Sequence, residues 1–181
     1  MICRSWYKLY APNSLKHRRN TDQIKLSDSS ILAMLIWQAE LGIESQRRFC
    51  RFFVGLSHSR FNRRARQLLP LIYLIRHTLN QEVDLSGKIL IIDSFPVPVC
   101  QPVRNYRVKI FHDIADIGYK ATKKHNNHQL MAVRRTIESD FALLSYYNAE
   151  NNRARSLAGF QERLEVAVLA YNMAYCLERF N

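Results

Sequence analysis

No acidic side chain stands between Glu44 and Glu82, a stretch that carries eight arginines. Over all 181 residues, 27 basic side chains stand against 15 acidic ones, a net charge of +12. An excess of that size points to a polyanionic partner, most often nucleic acid and less often an anionic membrane surface. Long apolar runs are also missing, and none approaches a membrane span. The opening Met1 to Lys8 lacks a signal-peptide core, so a cytoplasmic protein is expected. The four cysteines, Cys3, Cys50, Cys100 and Cys176, form no Cys-x-x-Cys pair. That spacing argues against a zinc site or a disulfide frame and for reduced, mostly buried thiols. With no internal repeat and an ordinary apolar fraction of 48%, the chain reads as one domain, or one with a small appendage.

What is present begins with an aromatic, basic segment over residues 1–26, either an arm against nucleic-acid phosphate or a solvated one. Ser27-Asp28-Ser29-Ser30 is a helix-start signal, because a short side-chain oxygen caps the free amides of a first turn. Ile31, Leu32, Leu35, Ile36 and Ala39 follow at helical spacing, and Gly42 suits a C-terminal cap. A second helix is expected from about Glu44 to Val54, broken by Gly55-Leu56-Ser57. Ser59 is the expected cap of a third, which Pro70 would kink or interrupt.

Arg47, Arg48 and Arg51 fall together on one helix face, and Arg60, Arg63 and Arg64 on the next; Arg66 adds to the charge. Two short helices, a tight turn and an arginine-rich helix have the outline of a helix-turn-helix DNA reader. Phosphate contact needs only positive charge on one side, and a solvated helical face is the plainer alternative.

Ile89 to Ile92 are four branched aliphatics that end on the Asp93 carboxylate, which reads as a buried strand. Pro96 and Pro98 stop it near Asp93, so that acid sits at a strand end or simply starts a solvated turn. Val103 to Phe111 alternates like a second short extended piece. Lys123 and Lys124 precede a polar stretch in which His125 and His128 read as surface loop rather than metal ligands. From Gln129 the pattern is helical. Arg134 and Glu138 are four apart and so neighbour each other, as an exposed ion pair would. Ser156 is the expected cap of a last helix with the stripe Leu157, Phe160, Leu164, Val168, Tyr171 and Tyr175.

The string Asp93-Ser94-Phe95-Pro96-Val97-Pro98-Val99-Cys100 resembles the first catalytic strand of DDE-type transposases of the bacterial insertion-sequence 982 family. Residues 26–49 resemble its N-terminal helical unit, Asp116 to Lys124 a following segment, and Arg134-Arg135-Thr136-Ile137-Glu138 with Arg153 to Phe160 its C-terminal helices. The resemblance implies an RNase H-like catalytic domain in which two Asp and one Glu hold a pair of Mg²⁺ ions for DNA strand cleavage and transfer. By that likeness Asp93 and Glu138 are catalytic and metal-binding. Arg134 and Arg135, with Lys123, Lys124 and the helical arginines, would meet DNA at the terminal repeats of an insertion element, as one chain or a homo-oligomer.

The second aspartate is what the family pattern has and this chain lacks. Only 44 residues separate Asp93 from Glu138, and no aliphatic run ending in Asp lies between them. Asp113 and Asp116 belong to the matched early segment, not to the missing one. The expected architecture is therefore α+β but mostly helical: an N-terminal helical region over residues 1–85, then an incomplete RNase H-like domain over 86–181 with central strands missing between about 124 and 134. The expected product is a transposase-family protein that does not cut DNA, or else a non-catalytic DNA-binding regulator of an insertion element.

Overall fold

The computed structural model describes residues 2–17, 24–81, 128–152, 154 and 156–178, with side chains left aside at 128–134 and 176–178. Among the described residues the chain is helical throughout, in eight helices: α1 (Ile2–Tyr10), α2 (Asn13–Lys16), α3 (Asp28–Glu40), α4 (Gln46–Phe53), α5 (His58–Gln67), α6 (Leu69–Gln81), α7 (His128–Tyr146) and α8 (Leu157–Glu178). The expected strand at Asp93, the extended piece at 103–111 and the basic loop at 123–128 lie almost wholly outside these residues. An RNase H-like sheet is therefore not part of the fold described.

Local chemistry places the helix ends. The Ser27 hydroxyl accepts the Ser30 amide at 3.1 Å and opens α3. At its other end Gly42 adopts φ +61, Gly42 N donates to Ala39 O, and Ile43 N donates to Gln38 O. That paired pattern satisfies the last carbonyls and needs a left-handed residue, hence glycine. Asn148 closes α7 the same way at φ 65. Ser45 caps α4 through the Arg48 amide at 3.3 Å. The expected cap at Ser59 is displaced: Ser57 holds the N-cap position of α5 and makes no side-chain bond there. Near Pro70 the helix is interrupted rather than kinked, one of the two expected outcomes. The proline sits in the first turn of α6, where a missing N–H costs nothing, and the chain turns at Leu68.

One core joins the two ends of the chain. Ile31, Leu32, Phe61, Leu68, Leu71 and Ile72 are fully buried, and Leu169 and Ala170 of α8 are buried in the same cluster as most of them. α8 packs against α3, α5 and α6, so residues on both sides of the expected boundary at 85/86 share one interior. Residues 2–16 are not a free arm either. Ala11 and Leu15 are buried, and α1 packs on α3 and α6.

The buried face of α8 differs from the expected stripe. Leu157 and Tyr175 are exposed, at 39% and 43%, and Phe160, Leu164, Val168 and Tyr171 are only half-buried. The buried line is Gly159, Glu162, Val166, Ala167, Leu169 and Ala170. Three of those six are small, Gly159, Ala167 and Ala170, and the larger residues of the expected stripe flank the line. Across it, the Arg76 guanidinium of α6 donates to both oxygens of Glu165, at 2.5 and 3.3 Å.

Candidate nucleic-acid interface

α4 and α5 are joined by four residues, Val54-Gly55-Leu56-Ser57, and pack on each other and on α3. Phe49 is the hinge of that packing. It is fully buried, with ring centroids 5.8 Å from Trp37, 5.3 Å from Phe53 and 6.5 Å from Phe61. The Asn62 amide donates to Gln46 Oε1 at 2.7 Å and ties the start of α4 to the middle of α5. The arrangement is two short helices joined by a glycine-containing turn, with α3 packed behind them.

With Phe49, Cys50, Phe61, Ala65 and Leu68 turned inward, the arginines are pushed outward. Arg47, Arg48 and Arg51 of α4 are exposed, as are Arg60, Arg63 and Arg66 of α5. Arg64 departs from the expected DNA face. It is 9% exposed and spends its guanidinium inside, donating to Asp28 Oδ1 and to Leu26 O, both at 2.6 Å. The helical period turns it inward with Phe61 and Ala65, and a carboxylate 36 residues earlier receives it.

A cleft of about 990 Å³ opens between the start of α4, α5 and the first turns of α8. Arg47, Arg63, Arg66 and Arg163 line it, with His58 and Asn62. Among the described residues none of these four arginines has a carboxylate within ion-pair distance. The cations mark their neighbours. Burial lowers the His58 pKa, and Arg163 and Arg47 lower it further, so the imidazole resists protonation. Burial likewise lowers that of Arg163; Glu162 opposes the change and Arg66 adds to it. Gly159 permits the crowding: a Cβ there would stand 3.2 Å from Ser156 Oγ, the atom that caps α8, and 3.4 Å from Arg66 Nη2.

Behind Arg163 lies a cavity of about 40 Å³, room for a water molecule or two. Glu162, wholly buried, lines it, and among the described residues neither carboxylate oxygen has a hydrogen-bond partner. Burial pushes this carboxyl up to about 7, against the pull of Arg163 and then Arg66. Sequence reasoning missed His58, Glu162 and Arg163. A visible signal existed in part: Gly159, Glu162, Val166, Leu169 and Ala170 recur at helical spacing, with an acid inside the apolar line.

The remaining expected residues do not gather here. Glu138 and Arg135 are exposed on α7, and Arg134 lies on the same helix. Asp93, Lys123 and Lys124 lie outside the described residues. Among the described residues no three His, Cys, Asp or Glu side chains stand together as a metal site would need, so the Mg²⁺ expectation finds no ligand set there. No helix among them is long and apolar enough to cross a membrane. Comparison with protein-family profiles, with curated proteins and with solved structures gives no match.

Proposed function

We propose that the chain binds DNA through α4, its turn and α5, with α5 laid toward a groove and α4 against the phosphates. The observation that carries this reading is the exposure of Arg47, Arg48, Arg51, Arg60, Arg63 and Arg66 on two helices that contain no acid. Contact with phosphate needs only such a one-signed face, and an exposed arginine at the start of the second helix is placed to reach a base edge. The likeness to DDE transposases of the insertion-sequence 982 family supplies the DNA: the terminal repeats of an insertion element, bound by a cytoplasmic protein acting alone or as a homo-oligomer.

Of the two roles that likeness allows, occupying element ends without cutting them is the better supported. α8 packs into one core with α3, α5 and α6, and Glu138 belongs to no group of three His, Cys, Asp or Glu side chains among the described residues. A full-length protein that shifts terminal-repeat DNA in preference to random duplex, and leaves it intact with Mg²⁺ or Mn²⁺, is the expected result. Arg60→Gln should weaken that binding by roughly 1–3 kcal/mol if it reads a base, and the salt dependence by about one phosphate if it does not. Metal-dependent nicking that disappears in Asp93→Ala would overturn the non-catalytic role.

A further inference from the structure

The arginine-lined cleft and the small cavity behind it share a wall. Arg163 lines both, and so do Gln46 and Glu44. On the cavity side, Glu162 is wholly buried, and among the described residues neither of its oxygens is hydrogen-bonded. A buried carboxylate without a partner is costly to ionise, and such groups are rare enough to need a reason. Here the cations that could satisfy it are the ones turned toward the cleft. Arg163 is the next residue, and Arg66 is close enough for its charge to be felt.

We propose that the cleft between α5 and α8 is a phosphate site in which ionised Glu162 competes with the ligand for Arg163 and Arg66, so that a proton taken up by Glu162 frees the site. A phosphate between the two guanidiniums and an ionised Glu162 behind them claim the same positive charge. Above about pH 7, where Glu162 is ionised in the free protein, the bound state therefore holds one more proton than the free state, drawn from the buffer onto a Glu162 oxygen. The inference builds on the DNA-binding reading, because duplex phosphates are the ligand that reading supplies; free pyrophosphate offers the same chemistry.

The neighbours of Glu162 decide the sign. Arg66 from α5 and Arg163 from α8 favour its ionised form. Glu44, from the connection between α3 and α4, and Tyr147, after α7, line the same cavity. Gln38 of α3 and Gln46 of α4 face it uncharged. His58 stands in the cleft and also gains a proton as pH falls, so it must be separated from Glu162 by experiment.

The test uses the full-length chain, a labelled 20-base-pair duplex and, separately, inorganic pyrophosphate, each titrated at pH 6 and pH 8. If only the protonated form is competent, apparent affinity scales with its population, and the wild type binds about tenfold more tightly at pH 6. Glu162→Gln should bind at pH 8 as the wild type does at pH 6, with a ratio near one. His58→Asn should keep the wild-type ratio. Arg163→Gln, at a half-buried position, should lose affinity at pH 6 and most of the ratio, with a denaturant midpoint measured alongside to show that the variant is folded. A Glu162-dependent ratio with the duplex alone assigns the site to nucleic-acid backbone, and with both ligands to phosphate in general. Glu162→Gln retaining the tenfold ratio, or His58→Asn abolishing it, would overturn the proposal. Failure of the DNA reading looks different: no duplex binding, with pyrophosphate still showing the Glu162-dependent ratio.

Discussion

Asp28 and Glu162 are both carboxylates shut away from water, and the molecule treats them in opposite ways. Asp28 receives Arg64 at 2.6 Å, with the Tyr7 hydroxyl 3.2 Å from its other oxygen. It also sits in the first turn of α3, where the helix dipole favours a negative charge. Glu162 receives no hydrogen bond from the described residues. One acid is fastened into the fold, pinning α3 to α5 behind the arginine face. The other has no hydrogen-bond partner among the described residues and stands beside a cleft lined by four arginines and Glu44. The difference separates a charge that builds the scaffold from one available to respond to a ligand.

The largest effect should come from breaking the satisfied pair. Asp28→Ala leaves the buried Arg64 guanidinium with the Leu26 carbonyl but no carboxylate and should cost about 3–5 kcal/mol, read as a shift of the urea midpoint. Arg64→Met paired with Asp28→Leu should cost far less than either single change, because the charge and its partner leave together. A cost under 1 kcal/mol for Asp28→Ala would erase the contrast between the two acids.

The next effect concerns the unsatisfied one, and its sign is fixed by the raised pKa. Between the ordinary carboxylate value of 4.5 and about 7, the folded state holds a proton at Glu162 that the unfolded chain has released. Stability should therefore fall as pH rises through that window and level off above it. At about 1.4 kcal/mol per unit the loss is about 3 kcal/mol. Glu162→Gln should flatten this dependence, measured as denaturant midpoints from pH 4.5 to 8. The smallest effect is local: Ser45→Ala removes the cap of α4 and should cost about 1 kcal/mol without changing that pH profile.

The parts of this fold that rest on neighbours in sequence were legible. Ser27, Gly42 and Ser156 mark helix ends because a cap is a bond across two or three residues. The outward arginines of α4 follow from period alone. Arg64 was not legible, since nothing near it announces that Asp28 will arrive from 36 residues away. The stripe on α8 misled for a related reason. The larger apolar residues suggested one face, while the packed seam runs along glycine, alanine and a buried acid. Small residues give little hydrophobic signal and mark only where helices can approach. The cleft joins α5 to a helix about a hundred residues further on, so its fourth arginine, Arg163, could be found only in three dimensions.

The salt dependence of duplex binding tests the central claim most directly. Each phosphate neutralised contributes a slope of about −0.9 to log affinity against log salt. The wild type should therefore show a slope of roughly −4 to −5 if most of the six exposed arginines take part. Arg60→Gln with Arg63→Gln should reduce it by about two phosphates' worth. A wild-type slope near zero, or one that the double substitution leaves untouched, would contradict the assignment of α4 and α5 as the DNA face.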